Sequence, residues 1–150
     1  MFTPSWYRSP MCYYLSLGSN IGAREAYIEQ AIRLIEQQIG TIVCCSSFYY
    51  SEPWGFDSPN GFCNVCCRLE TEKAPIEVLH ATQAIERALG RIHKSVNGQY
   101  ADRTIDIDLI QAFDANGHEI QWHDTELNLP HPLWKERDFV RIPLQELQNK

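Results

Sequence analysis

Hydrophobic and polar positions along the chain predict four strands and three helices. Runs rich in apolar, β-branched and aromatic residues have strand length at residues 12–18, 41–50, 62–70 and 104–113. Apolar residues recur at helical spacing over residues 28–39, and Gly40 follows where a helix would end. A second helix is predicted from Pro75 to about Leu89, and a third over residues 139–147.

The order of these segments is βαβ followed by βαβ, with short additions. It predicts an α+β fold of the ferredoxin-like, split βαβ kind, with a mainly antiparallel sheet and helices packed on one face. Ligands could then bind at the other face. We expect residues 1–11 to form an N-terminal arm that is not a signal peptide, and residues 12–150 to form one domain.

Composition narrows the possible partners. The 150 residues are 44% hydrophobic and 21% charged, which is typical of a globular protein. The net charge of −6 disfavours non-specific nucleic-acid binding, which needs many cations to displace counterions. No segment approaches the roughly 20 apolar residues that span a bilayer. We therefore expect a cytoplasmic protein that binds small molecules, and neither nucleic acid nor membrane. We also expect a monomer.

Six cysteines allow two interpretations. Cys63 and Cys66 have the spacing of a zinc-binding pair, but residues three apart on a strand point to opposite faces. The alternative is that all six are reduced, partly buried thiols that pack as small hydrophobic side chains. Strand geometry favours the second interpretation.

Two carboxylates in the last predicted strand suggest a metal site. Alternation places Asp106 and Asp108 on one face and their apolar neighbours on the other. Two like charges so close favour a cation between them, and Mg²⁺ prefers such oxygen ligands together with substrate phosphates. The other interpretation is a solvated polar face on an edge strand.

Basic residues lie between the second helix and this strand. Arg91, His93 and Lys94 begin the segment and Arg103 ends it. Cations of this kind compensate the charge of a migrating phosphoryl group, although they are also common at solvated helix ends. The segment GSNIG, residues 18–22, lacks the Lys and Ser/Thr of a P-loop and is interpreted as a strand-to-helix turn.

Phe62 and Asn64 share one face of the third predicted strand. An aromatic ring and an amide suit a flat heterocycle, which is held by stacking and directional hydrogen bonds. A core phenylalanine beside a turn asparagine would give the same pattern.

Six segments together resemble the 6-hydroxymethyl-7,8-dihydropterin pyrophosphokinase (HPPK) family of folate biosynthesis. They are YLSLGSNIG (14–22), SSFYYSEPWG (46–55), FCNVCCRLET (62–71), IERALGRIHK (85–94), DRTIDIDLI (102–110) and LPHPLWKERDFV (129–140). The resemblance implies a kinase that transfers diphosphate from ATP to the hydroxymethyl group of the pterin and releases AMP. It also implies the ferredoxin-like fold.

The resemblance implies roles for single residues as well. Asp106 and Asp108 would bind two Mg²⁺ ions, and Arg91 and Arg103 would be catalytic. The pterin would be bound by Pro53, Trp54, Gly55, Phe62, Asn64 and Phe139. ATP would be bound by Gln83, Glu86, His93, Ile107, His131 and Arg137.

The chain departs from the family pattern at several positions. His93 stands where many members carry a second loop arginine. The Trp-Gly-Pro motif that usually precedes the last loop arginine is replaced here by Tyr100-Ala101-Asp102. Pro132 replaces an aromatic residue, while Glu126 and Asn128 stand where some members have Arg and Thr, so we assign these two no role. Two other functions stay open on the residues alone: a ferredoxin-like module that binds a metabolite without chemistry, and a metal-dependent nuclease.

Overall fold

A computed structural model describes residues 9–52, 61–90 and 104–149. Its main sheet has five strands: β1 (Met11–Ser19), β2 (Thr41–Cys45), β3 (Tyr49–Ser51), β4 (Phe62–Thr71) and β5 (Asp106–Phe113). Three α-helices accompany it: α1 (Arg24–Gln38), α2 (Pro75–Ala88) and α3 (Asp138–Gln148).

The sheet has the order β2-β4-β1-β5, and β3 continues along β4 beyond the end of β2. Every pairing in it is antiparallel. If β2 and β3 are counted as one edge strand, this is the order of the split βαβ fold. The predicted fold class is confirmed.

Helices α1 and α2 pack on one face of the sheet, as predicted. Alternate residues of β1, such as Leu15 and Leu17, point into the core that these helices cover. The intervening positions point the other way, where α3 packs a smaller cluster that includes Cys66 and Ile110. The second face is therefore partly covered by α3. The predicted pterin residues of β4 and the two aspartates of β5 point to this second face.

The helix ends follow partly from the sequence. Pro75 is the first residue of α2, and the preceding backbone N–H of Ala74 donates to the Glu77 carboxylate at 3.0 Å. Gly90 follows α2 with φ +99°, a conformation that glycine adopts without strain. Helix α1 begins after Ala23, without a side-chain cap.

The second predicted strand, residues 41–50, is interrupted. Between β2 and β3, Ser46 exchanges hydrogen bonds with Cys66: its N–H donates to the Cys66 carbonyl, and its hydroxyl accepts from the Cys66 N–H. The next N–H, that of Ser47, donates to the Glu146 carboxylate of α3 at 2.9 Å. The break in the edge strand thus anchors α3, which the strand pattern alone did not indicate.

The additions form a small second sheet of β6 (Trp122–His123) and β7 (Asn128–Leu129). A cis peptide bond joins Leu129 to Pro130, and the His131 N–H then donates to the Ile110 carbonyl at 2.8 Å. This turn therefore docks on β5, beside the two aspartates. None of the helices in the described ranges has the length and apolarity needed to cross a membrane.

The cysteines behave as packed side chains. Cys63 lies in the core under α1 and α2, whereas Cys66 lies under α3 on the opposite face. The zinc interpretation of this pair is therefore wrong. Within the described part of the chain, no three His, Cys, Asp or Glu side chains form a group that could hold a metal ion. Cys45 and Cys67 share a hydrogen bond of 2.8 Å across β2 and β4.

Candidate active site

Two rows of paired residues cross the sheet near the C-terminal end of its central strand β1. Asn64 of β4 pairs with Gly18 of β1, and Gly18 pairs with Asp106 of β5. Directly paired residues point to the same face, so the Asn64 amide and the Asp106 carboxylate share the α3 face. With adjacent strands about 4.8 Å apart, their backbones lie about 10 Å from each other. The predicted pterin and metal residues are thus brought together.

Gly18 makes the first row possible. A Cβ atom at this position would overlap the Asn64 side-chain nitrogen, so any other residue would force the amide to shift. Asn64 is 4% exposed and lies over the bare backbone of β1. A glycine inside a strand often marks such a close approach, and this is the signal that could have identified Gly18 as a site residue from the sequence.

The second row contains Asp108. It pairs with Ser16 of β1, which in turn pairs with Cys66 of β4. Asp106 and Asp108 are both half-buried, and Ile107 between them is 1% exposed in the core. The two carboxylates thus share one face of β5, as predicted.

Glu86 fixes this part of β5 from the other side of the sheet. Its carboxylate, on α2, accepts a hydrogen bond of 2.7 Å from the backbone N–H of Ile107. Glu86 is 4% exposed, so the bond forms away from solvent. Gln83 lies one turn earlier on α2 and is half-buried.

Helix α3 carries Phe139 over the same face. Phe139 packs on the small cluster, and the thiol of Cys66 contacts the carbonyl of the next residue, Val140, at 3.6 Å. Since Phe62 and Asn64 precede Cys66 on the same face of β4, the first turn of α3 approaches the predicted pterin residues. Arg137, 4% exposed, lies with its guanidinium carbon 6.0 Å from the Phe139 ring centre. Burial lowers the pKa of Arg137 from its ordinary value.

A cavity of about 240 Å³ opens at the outer edge of β5, next to Asp108. Its apolar walls come from α2, β5 and the segment before β7, and its polar walls come from the residues around the cis-proline turn. The lining residues are Leu79, Ile107, Asp108, Leu109, Glu126, Leu127, Asn128, His131 and Pro132. The cavity thus joins Ile107, Asp108 and His131, three residues that were predicted to act in one site.

His131 is oriented by two hydrogen bonds. Its backbone N–H binds β5, and its Nδ1 accepts a hydrogen bond of 3.2 Å from the N–H of Leu133. An accepting Nδ1 places the proton of the neutral ring on Nε2. The half-buried imidazole can therefore donate from Nε2 to an anionic ligand.

Glu126 and Asn128, to which we assigned no role, both line the cavity. The Glu126 carboxylate is paired with His80 of α2 at 2.8 Å, and both side chains are 55% exposed. Such an exposed pair stabilises the fold by at most about 1 kcal/mol. For the function, the position of Glu126 on the cavity wall matters more than the ion pair. The sequence pattern did not indicate this position.

The predicted site residues that the structure describes are Phe62, Asn64, Gln83, Glu86, Asp106, Ile107, Asp108, His131, Arg137 and Phe139. Arg91, Arg103, His93, Tyr100, Pro53, Trp54 and Gly55 lie outside the described residues, so their assignments stay predictions from the sequence.

The donor set fits magnesium. Asp106 and Asp108 offer carboxylate oxygens on one face, beside a cavity, and Mg²⁺ typically binds through one or two carboxylates plus substrate phosphates. The thiols of this region do not compete for such a site, because burial raises the pKa of Cys66 to about 12 and keeps it protonated.

Comparison with known proteins gives the same family as the six sequence segments. The family model of 7,8-dihydro-6-hydroxymethylpterin-pyrophosphokinase (HPPK) matches residues 14–149. A relative named 2-amino-4-hydroxy-6-hydroxymethyldihydropteridine pyrophosphokinase, from Porphyromonas gingivalis, is 45% identical over 136 residues, which cover 89% of this chain and 88% of the relative. A Bacillus subtilis relative of the same name is 37% identical over 135 residues, covering 89% of this chain and 76% of the relative.

A solved structure of Plasmodium falciparum HPPK-DHPS has a similar fold, with a TM-score of 0.67 at 15% identity. The match covers 94% of this chain, and the chain spans 42% of the length of the Plasmodium protein. At this identity the likeness concerns the fold alone. The family-model match and the bacterial relatives carry the assignment: the chain belongs to the HPPK family.

Proposed function

We propose that this chain transfers the β,γ-diphosphate of ATP to the hydroxymethyl group of 6-hydroxymethyl-7,8-dihydropterin and releases AMP. The observation that carries the proposal is the row of paired residues from Asn64 through Gly18 to Asp106. It brings an amide suited to a heterocycle and a carboxylate suited to magnesium onto one face. Family membership favours this transferase over the regulatory module and the nuclease.

The pterin binds, on this proposal, at the β4 end of the row. Phe62 and Phe139 stack on its two faces, and the Asn64 amide bonds its edge, where amide donor and acceptor atoms match the heterocycle. The close fit of Asn64 over Gly18 supports this role, because it limits the positions that the amide can adopt. Pro53, Trp54 and Gly55 complete the pocket.

ATP binds with its base end in the cavity beside β5. A volume of 240 Å³ is below the roughly 300–1,000 Å³ of complete ligand pockets, so the cavity suits part of the nucleotide. Ile107 and its apolar neighbours contact the base, while His131 donates to a phosphate. Gln83 and Glu86 hold this end of the site, and His93 and Arg137 add charge toward the phosphates.

In the reaction, the hydroxyl oxygen of the pterin attacks the β-phosphorus of ATP, and the bond from the β-phosphorus to the oxygen between the α- and β-phosphorus breaks. AMP leaves with that oxygen, and the hydroxyl proton passes to solvent. Two magnesium ions, held by Asp106 and Asp108, would neutralise phosphate charge when bound. Arg91 and Arg103 stabilise the charge that develops on the transferred group. Because the substrates are ATP and a small soluble pterin, we place the enzyme in the cytoplasm. We also propose that it acts as a monomer.

Product analysis tests the proposal. Purified protein is incubated with ATP, Mg²⁺ and the pterin, and the nucleotides are separated by chromatography. We expect one AMP for each pterin diphosphate formed, and no AMP without pterin. ADP as the nucleotide product, or no turnover, would refute the proposal.

A further inference from the structure

Arg24, the first residue of α1, contacts the start of β4 although no role has been assigned to it so far. Its Nη1 donates a hydrogen bond of 3.0 Å to the carbonyl of Gly61. Gly61 directly precedes Phe62, the aromatic residue proposed to stack on the pterin. Because a peptide unit is planar, fixing the Gly61 carbonyl also fixes the N–H of Phe62 and the direction in which its chain begins.

The same guanidinium holds the strand opposite Phe62. Its central carbon lies 5.4 Å from the centre of the Tyr50 ring, within the range of a cation–π contact. Tyr50 of β3 is the register partner of Cys63, the residue after Phe62. Arg24 therefore contacts the residue before Phe62 and the strand partner of the residue after it.

The backbone leaves little freedom at this point. Ser51 pairs with Phe62, and a Cβ atom at Gly61 would lie 3.2 Å from the Ser51 carbonyl oxygen. Gly61 thus runs close against β3, with its carbonyl directed to Arg24. The Glu25 carboxylate lies 3.7 Å from Arg24 Nε, whereas Nη1 donates to the Gly61 carbonyl.

We propose that Arg24 is a positioning residue for the pterin: it fixes the backbone at Phe62 from two sides, so that the ring is held ready for stacking. The inference rests on the proposed pterin site. Arg24 itself does not contact substrate on this proposal. A planar guanidinium suits the task, because it can donate in its plane and contact an aromatic ring through its face.

The test compares Arg24→Ala and Arg24→Lys with Arg33→Ala, which removes an exposed arginine from the same helix. The dissociation constant of the pterin is measured by fluorescence, together with KM for each substrate, kcat and the melting temperature. For Arg24→Ala we expect pterin binding to weaken about tenfold, which corresponds to about 1.4 kcal/mol, with kcat and KM for ATP within about twofold. Arg24→Lys should recover part of the affinity, and Arg33→Ala should match the wild type.

A double-mutant cycle with Phe62→Ala separates positioning from general stabilisation. If Arg24 acts through Phe62, Arg24→Ala should weaken pterin binding less than about twofold once the ring is absent. A full tenfold effect in the Phe62→Ala background, or unchanged pterin binding in Arg24→Ala, would overturn the inference. If the wild-type protein turns over pterin, the proposed function stands whatever the Arg24 variants show. If the wild-type protein binds no pterin, both the proposed function and the role of Arg24 are refuted.

Discussion

The Glu86 carboxylate accepts a hydrogen bond of 2.7 Å from the backbone N–H of Ile107, the residue between Asp106 and Asp108. One buried side chain of α2 thus holds the segment of β5 that carries both proposed metal ligands. This hydrogen bond joins α2 to the backbone of β5 at the strand edge that borders the cavity. It couples the packing of α2 to the position of the two carboxylates.

Replacing Glu86 should therefore affect stability and turnover together. Glu86→Ala leaves the Ile107 N–H buried without this acceptor, which should lower the free energy of unfolding by about 1–3 kcal/mol. Glu86→Gln keeps an acceptor oxygen and should lose less. Urea unfolding and AMP release measure the two effects, with Glu29→Ala on the exposed face of α1 as the control. Wild-type stability and turnover in Glu86→Ala would show that the contact is dispensable.

Asp108→Asn should abolish magnesium-dependent turnover and spare the pterin site. Loss of a direct ligand should cost more than the roughly 10- to 100-fold typical of outer-shell partners. AMP release is followed in a magnesium titration, and pterin affinity without nucleotide, measured by fluorescence, should stay within about twofold. Glu70→Gln, at the far end of β4, is the control and should behave as wild type. Normal turnover in Asp108→Asn would remove this residue from the metal site.

Gly18→Ala should weaken pterin binding by displacing the Asn64 amide, since the new methyl group would occupy its place. We expect pterin affinity to fall at least about tenfold, while the affinity for ATP changes little. The control is Gly117→Ala: that turn glycine has φ +83° and no neighbouring atom near an added Cβ. It should lose about 1 kcal/mol of stability through backbone strain and keep wild-type pterin affinity. Equal pterin affinity in both variants would argue against the role of Asn64.

Buried thiols should make the fold sensitive to alkaline pH. Burial raises the pKa of Cys63 to about 11 and that of Cys66 to about 12, against an ordinary value of 9.0. Because the pKa of each thiol is higher in the folded state, the thiol loses its proton first in the unfolded chain. The protonated thiols therefore contribute their full stability to the fold below pH 9, and this contribution is lost as pH rises toward 12. Urea unfolding at pH 8 and pH 10 should show the decrease, and Cys66→Ala should reduce the slope.

The same shift predicts slow chemistry at these thiols. At pH 8 iodoacetamide should modify the half-buried Cys44 well before Cys66, as read by mass spectrometry of the digested protein. Labelling of Cys66 in the folded protein at the rate of the unfolded chain would contradict its burial under α3.

Much of the fold could be predicted because its periodic signals are local. The alternation around Asp106 and Asp108 indicated their common face, and Pro75 and Gly90 marked the ends of α2. The family and its reaction followed from six segments in register rather than from any single motif.

The remaining features depend on contacts between distant segments. The break at Ser46 is stabilised by Cys66 and Glu146, neither of which is near it in sequence. The cavity wall at Glu126 forms only when the segment before β7 meets α2. Periodicity reports which face of an element is apolar, and it carries no information on which other element that face meets.

The central claim is that the metal and the pterin occupy one site, and paramagnetic relaxation tests it most directly. Mn²⁺ replaces Mg²⁺, and the nucleotide is an ATP analogue in which a methylene group replaces the oxygen between the α- and β-phosphorus and so prevents transfer. Proton relaxation of the bound pterin is then recorded. We predict strong relaxation of the hydroxymethyl protons in wild-type protein and its loss in the Asp106→Asn, Asp108→Asn double variant. Pterin that is bound, as shown by fluorescence, yet unaffected by bound Mn²⁺ would contradict the claim.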